Sequence, residues 1–252
     1  MEQEPWTGLP GAIERLGPVD RVELKVLLDA DSADVMSALG VRPRSVRRRW
    51  VYYLDNPDGT LRDLGIIIRV RLTQHRKAEL VTKLRRADPC ALPVSRLPHL
   101  ALELDALPHR TQWCAAVRRP LKLGSFADGT GRLDTLSAEQ RLFLTHLTPD
   151  ATAFEQLSPH GSASVLRVCG AAAGLPKLTV EDWRFPNGDQ VVELSLKCAP
   201  RQAPRSAARL RRFLRMSRLR THRSQRTKTE LCCSVPSLSP ERAGSRTTWH
   251  RR

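Results

Sequence analysis

The sequence predicts an α+β fold, an antiparallel β-sheet or barrel with a few flanking helices. Two observations predict it. Short runs rich in Val, Ile, Leu, Trp and Tyr recur along the chain, joined by tight turns such as Asn56-Pro57-Asp58-Gly59 and Phe185-Pro186-Asn187-Gly188, the pattern of hairpin-connected strands. Within several runs, charged residues recur at even spacing: Glu23 and Lys25, Arg69 and Arg71, Lys83 and Arg85, Glu193 and Lys197. Side chains alternate faces along a strand, so these strands are charged on one face. The other face is apolar, with Val22, Leu24 and Val26 in one case and Val192, Leu194 and Leu196 in another. A barrel with the charged face inside would be a tunnel rather than a packed core. An open sheet with its charged side in water fits the same pattern.

The elements follow in order. Residues 1–18, rich in Pro and Gly, read as a flexible leader, and the first strand spans Arg21–Asp29. Asp31-Ser32 offers an N-cap for a short helix that Gly40 ends. Arg47–Asp55 is a strand, Thr60–Leu64 a helical turn, and Gly65–Thr73 and Glu79–Arg86 the next two strands. Ala101–Ala106 and Gln112–Arg119 are shorter strands. Ser137-Ala138-Glu139-Gln140 has capping-box spacing ahead of a helix to about His146. Ser164–Gly170, Lys177–Arg184 and Asp189–Cys198 complete the strands before a helix over Ala203–Leu219, whose Leu210, Phe213 and Leu214 share one face. Arg226–Val235 reads as a closing strand, and 236–252 as a disordered basic tail with almost no apolar residues. One domain, 19–235, is the expectation.

Composition narrows the partners. A formal charge of +16 on 252 residues calls for an anion. Arg201–Lys228 alone holds eleven Lys and Arg and no Asp or Glu, so the remainder is only mildly basic. The six cysteines form no CxxC pair, which fits reduced thiols of an intracellular protein. The acidic N-terminus lacks the apolar stretch of a signal peptide, and no apolar run approaches the roughly 20 residues of a membrane span. A cytoplasmic protein without membrane contact is expected.

The charged strand faces carry the chemistry. Guanidinium and ammonium groups repeated along one face need a polyanion to balance them, and carboxylates among them can hold the divalent cation that accompanies polyphosphate. Any one of these side chains would ordinarily be a solvated surface charge; their joint pattern is what points to a site. The seven histidines show no ligand spacing, Asp128-Gly129-Thr130-Gly131 lacks the context of a nucleotide loop, and the aromatics beside Arg47-Arg48-Arg49 sit on a strand where packing is their expected role.

The ordered set of motifs resembles the CYTH family, which includes class IV adenylate cyclases, thiamine triphosphatases and other triphosphate tunnel enzymes. That family opens on Glu-x-Glu-x-Lys; here Glu23 and Lys25 match, with Arg21 at the first Glu. Tyr52-Tyr53-Leu54-Asp55-Asn56-Pro57-Asp58 through Gly65 to Ile68-Arg69-Val70-Arg71 is similar to a long family stretch, and Val81–Arg85 to its next basic strand. Leu102–Asp105 resembles a later acidic strand, and Glu181, Glu193 and Lys197 the closing strands, with Ser195 where many members carry a second Glu. Gln225–Thr229 is similar to a late segment of bacterial members. The match runs from about Asp20 to Leu231.

The resemblance implies an antiparallel β-barrel tunnel with a charged interior and flanking helices. It assigns Lys25, Arg69, Arg71, Lys83, Arg85 and Lys197 to substrate binding, with Arg118, Arg167 and Lys228 as further candidates. Glu23 and Glu193 would be catalytic; Glu23, Glu181 and Glu193 would hold Mg²⁺ or Mn²⁺, with Glu103 and Asp105 assisting. The implied partner is a triphosphate-containing small molecule or polyphosphate, and the implied activity is hydrolysis of inorganic, nucleoside or thiamine triphosphate. A non-catalytic polyphosphate- or nucleotide-binding module and an adenylate cyclase are the alternatives. A third reading is a nucleic-acid-associated protein that holds DNA or RNA nonspecifically through Arg201–Lys228.

Overall fold

A computed structural model of the chain describes residues 5–15, 19–74, 77–85, 92, 97–121, 136–148, 154, 157–172 and 174–232. The tail expected over 236–252 lies outside the described residues. Among the described residues, nine strands close into one barrel. They are β1 (Arg21–Leu28), β2 (Arg42–Asp55), β3 (Ile66–Thr73), β4 (Lys77–Arg85), β5 (Ala101–Leu107), β6 (Arg110–Leu121), β7 (Ser158–Ala172), β8 (Leu175–Arg184) and β9 (Gln190–Cys198). The order around the barrel is β1-β5-β6-β4-β3-β2-β7-β8-β9, and β9 pairs back with β1. Every neighbouring pair is antiparallel except β1 and β5, which run parallel, so the barrel is mixed. Closure removes the free edges of an open sheet and excludes the arrangement with the charged face in water.

The helices are α1 (Leu9–Arg15), α2 (Ser32–Ala38), α3 (Thr60–Asp63), α4 (Ala138–Leu147), α5 (Ala203–Ser217) and α6 (Lys228–Cys232). The hydrophobic core lies mainly between barrel and helices. Val22, Leu24, Val26, Val180, Leu194 and Leu196 turn outward into one cluster with Leu210 and Leu214 of α5. Ile66, Ile68, Val70 and Leu80 form a second cluster with Leu144 of α4 and Leu61 of α3. Each fully buried side chain of this kind contributes roughly 1.5–3 kcal/mol, so the apolar strand faces hold the helices on and leave the charged faces to the lumen. As expected, α4 starts at a capping box, Gln140 N–H donating to Ser137 Oγ and Ser137 N–H to Gln140 Oε1, both at 3.1 Å.

Two expectations need correction. The segment read as a loose leader carries α1, and its Trp6 and Leu9 are buried in the first cluster; Trp6 Nε1–H donates to the carbonyl of Ala106 at 2.8 Å. Of the closing strand expected over Arg226–Val235, the described residues end at Cys232 and form α6 instead; the rest of that span lies outside the described residues. The chain first runs beside the end of β1, bridging Leu28 and Thr221. Thr227 N–H then donates to a Glu230 carboxylate oxygen at 2.5 Å, and Glu230 N–H to Thr227 Oγ1 at 3.3 Å. This reciprocal cap turns the chain into a helix, and Thr227-Lys228-Thr229-Glu230 is its sequence signature.

Helix α6 covers one end of the lumen. There Leu27, Val51, Tyr53, Ile67, Trp183 and Cys232 form a third apolar cluster. Arg85 Nη1 and Nη2 donate to the hydroxyls of Thr227 and Thr229 at 2.6 and 3.0 Å. Gly161 of β7 lies beneath α6, where a Cβ would meet the carbonyl oxygen of Cys232 at 2.8 Å. Gly161→Ala should therefore push backbone against backbone and lower stability by roughly 1–3 kcal/mol, read as a drop in melting temperature. An unchanged melting temperature would mean that α6 is not held against β7.

Candidate functional site

The register carries one face of every strand into the lumen. Lys83 stands opposite Ala116 and Ile67, Arg69 opposite Val81 and Tyr53, Glu193 opposite Glu181 and Leu27, and Lys197 opposite Glu23. Among the described residues, nine cationic side chains share this face away from the α6 seal and the outer rim: Lys25, Arg49, Arg69, Arg71, Lys83, Arg118, Arg167, Lys197 and, from α6, Lys228. Six carboxylates accompany them, from Glu23, Glu79, Glu103, Asp105, Glu181 and Glu193. The lumen thus carries three positive charges in excess.

Two ion networks occupy it. In the first, Lys25 Nζ lies 3.1 Å from Glu23 Oε2 and 2.8 Å from Asp105 Oδ1. Lys83 Nζ is 2.7 Å from Asp105 Oδ2. Lys197 Nζ lies 3.2 Å from Glu103 Oε1 and 3.6 Å from Glu23 Oε2, and Arg118 Nη2 is 3.4 Å from Glu103. In the second, Lys228 Nζ bridges two carboxylates, contacting Glu193 Oε1 and lying 3.1 Å from Glu181 Oε2. Glu181 Oε1 also faces Arg167 Nε at 3.3 Å and Arg49 Nη1 at 3.8 Å. The Lys228 ammonium sits 5.0 Å from the centroid of the Trp183 ring, a cation–π contact.

Two arginines stand apart. Arg71 pairs with Glu79 at 3.1 Å, whereas Arg69 pairs with no carboxylate among the described residues, and its Nε is buried without a hydrogen-bond partner. Arg49 Nε is likewise buried and unpartnered. Buried guanidinium donors without acceptors are costly, a cost that an anion able to reach them would remove.

Burial and charge compete at each carboxyl. Burial opposes ionisation of Glu23, but Lys25 and Lys197 outweigh it and hold the carboxyl down at about 2. Burial likewise opposes ionisation of Asp105, which Lys25 and Lys83 keep well below its usual range. Glu181 is lowered by Lys228 and Arg71 against its burial, and Glu103 by Lys197 and Arg118 against its own. Glu193 goes the other way. Its burial, reinforced by the neighbouring Glu181 and Glu23 carboxylates, outweighs Lys228 and raises it. Burial, together with the adjacent Arg69, depresses Arg71 to about 10.

Most of the expected site residues meet in the lumen, but in a different grouping. Glu23 is joined by Glu103 and Asp105, whose oxygens lie within 4.8 Å of one another. Glu181 and Glu193 form a separate pair about Lys228. Arg85 is drawn to Thr227 and Thr229 at the sealed end. Arg21, in place of the first Glu of the family motif, sits at the open rim with its Nε 3.6 Å from Glu103. Arg49 was legible only as part of a basic run; its signal is the alternation with Val51 and Tyr53 on the face opposite Trp50. The donors of Glu23, Glu103 and Asp105 are all carboxylate oxygens, the set that hard divalent ions such as Mg²⁺ and Mn²⁺ prefer. An ion there would have to displace the ammonium groups of Lys25, which bridges Glu23 and Asp105, and Lys197, which bridges Glu23 and Glu103.

No family model matches the sequence, and no curated protein matches it. Solved structures do share the fold. HpAC1 from Hippeastrum, described as an adenylyl cyclase candidate with a dominant triphosphatase activity, superposes with a TM-score of 0.63 at 15% identity over 87% of this chain and 98% of its own. An adenylate cyclase candidate from Bacillus halodurans superposes with a TM-score of 0.56 at 12% identity over 84% of this chain and 97% of its own. The tunnel that the resemblance to the CYTH family implied is the observed fold. No described helix is long and apolar enough to cross a membrane.

The acid networks predict a pH dependence. A carboxyl depressed in the folded state contributes stability that is present above its ordinary value and lost as pH falls through its folded value. For Glu23 that window runs from 4.5 down to about 2, and the associated stability is roughly 3 kcal/mol. Denaturant unfolding of the wild type should weaken across this window, and Glu23→Gln should make the loss shallower. A variant with the full acid slope would remove Glu23 from the network.

Proposed function

We propose that the lumen binds a triphosphate-containing small molecule or short polyphosphate and, with a divalent cation, hydrolyses it. The observation that carries this reading is the cationic excess of a closed lumen in which Arg69 has no carboxylate. Phosphate oxygens are the acceptors that guanidinium and ammonium groups in a low-dielectric space favour. The triphosphatase activity named for the Hippeastrum protein supports the same direction.

In this reading Arg69, Arg71, Lys83, Lys25 and Lys197 grip the phosphates, with Arg49, Arg118 and Arg167 flanking them. Arg85 fixes α6 and acts on the substrate only through that helix. Glu23, Glu103 and Asp105 would hold Mg²⁺ or Mn²⁺, which supplies charge neutralisation at the phosphates and a polarised water. Lys25, released from Glu23 and Asp105, turns to the phosphate chain, so the ligand and the ion replace each other's counter-charges. Glu193, whose carboxyl is raised by burial, is suited to take the proton of a water attacking the terminal phosphorus. The surrounding cations then offset the charge that develops on the leaving phosphate.

A second reading is a binding module without turnover. Arg21 and Ser195, at positions where related tunnels carry Glu, favour it by leaving fewer carboxylates for metal. Helix α5 packs outside the barrel and supplies no lumen side chain, so nucleic acid has no part in this proposal.

Phosphate release from tripolyphosphate and from nucleoside and thiamine triphosphates, with Mg²⁺ and with Mn²⁺, separates these readings. The proposal expects metal-dependent release that Glu193→Gln abolishes while binding persists. Arg69→Ala should weaken binding by roughly 1–3 kcal/mol, the worth of a charged hydrogen bond. Tight binding without release would establish the binding module, and the absence of both would refute the proposal.

A further inference from the structure

The outer wall of the barrel carries a cavity of about 260 Å³ over β2, β7 and β8. Arg48 and Trp50 line it from β2, Ser164 and Leu166 from β7, and Asp182 and Arg184 from β8. The register sets them in two rows, Arg48–Leu166–Asp182 and Trp50–Ser164–Arg184. All six lie on the face opposite Arg167 and Glu181, and Arg49 and Val165, the residues between them on β2 and β7, complete the lining.

The cavity is deepest over Ser164, whose short side chain lies between Trp50 and Arg184. Adjacent strands are about 4.8 Å apart, so the β2 and β8 walls stand about 10 Å apart across a floor of Ser164 and Leu166. A planar ring fits between such walls. Trp50, half-buried, offers it an aromatic partner. Opposite stands Asp182, only 2% exposed. Its Oδ2 accepts from the Ser32 hydroxyl at 3.0 Å and from Arg184 Nη2 at 3.5 Å. Its Oδ1 is buried with no hydrogen-bond partner. A buried carboxylate oxygen without a donor is a standing cost that an N–H from a ligand would remove. Arg48 and Arg184 are exposed on the cavity rim, and with one carboxylate between them they leave the cavity positive.

We propose that this cavity is a second ligand site, for a nucleoside monophosphate whose base carries an exocyclic amino group. The base stacks on Trp50, the amino group donates to Asp182 Oδ1 once the side chains that cover that oxygen have parted, and the phosphate takes Arg48 and Arg184 as charge-assisted donors. The volume is at the small end for ligand sites, which suits one nucleotide and excludes a dinucleotide. The site stands on its own lining and does not depend on what the lumen binds.

Equilibrium dialysis of the full chain with adenosine monophosphate tests it, with ribose 5-phosphate and inorganic phosphate as controls. Saturable binding of the nucleotide is expected, with both controls at least tenfold weaker. Asp182→Asn should weaken nucleotide binding at least tenfold. Ser164→Leu should do the same by filling the floor from an exposed position, where the fold tolerates it, with thermal melting as the check. Arg69→Ala, inside the lumen, should leave nucleotide affinity within twofold. Undiminished binding to Ser164→Leu, loss of binding in Arg69→Ala, equal binding of ribose 5-phosphate, or no saturable binding of the nucleotide at millimolar concentration would each overturn the proposal.

Discussion

A charge taken out of water must find a counter-charge, and among the described residues fifteen of them line one barrel lumen. Removing an isolated ion from solvent costs several kcal/mol even after relaxation, so nearly every inward lysine lies against a carboxylate. The pairing is incomplete in one direction only. The six carboxylates each meet at least one cation, while the cations exceed them by three. The remaining architecture follows from that imbalance. The apolar residues have moved to the outer strand faces, where α1, α2, α4 and α5 cover them.

The self-pairing has a chemical consequence. Lys25 and Lys228 are held by the same carboxylates that a cation or a proton would seek, and burial opposes their charge while those carboxylates restore it. In the proposed function, ligand entry is therefore an exchange of partners rather than the filling of a vacant site. Contrasting neighbours set the two glutamates apart. Glu23 has Lys25 and Lys197 close by and stays low. Glu193 shares Lys228 with Glu181, a like charge that adds to the burial penalty and pushes it up. Environments that drive two acids in opposite directions are the usual basis for dividing acid–base roles.

Much of this was legible in the sequence because strand alternation is a strict rule. Glu23 with Lys25, Arg69 with Arg71, and Glu193 with Lys197 could be put on one face from spacing alone, and the structure keeps each pair together. What spacing could not supply is which strands meet. The parallel pairing of β1 with β5 brings Glu103 and Asp105 to Glu23, and no local signal announces a contact across 80 residues. Arg85 shares its face with Lys83, yet its height along the strand puts it at the sealed end. The last segment misled for a different reason. Arg226–Val235 alternates enough to suggest a strand, but the Thr227–Glu230 cap decides for a helix, and that helix delivers Lys228 to the lumen. The leader was misread because Pro and Gly are frequent in it, while few apolar side chains, Trp6 and Leu9 foremost, anchor it.

The central claim is that the lumen is an incomplete charge lattice which a chain of phosphates completes. Thermal stabilisation by phosphate, diphosphate and tripolyphosphate at matched ionic strength and without metal tests it most directly, since a ligand that binds only the folded state raises the melting temperature according to its affinity. The account predicts a shift that grows with each added phosphate and is largest for tripolyphosphate. Equal shifts for all three, or none for any, would contradict it.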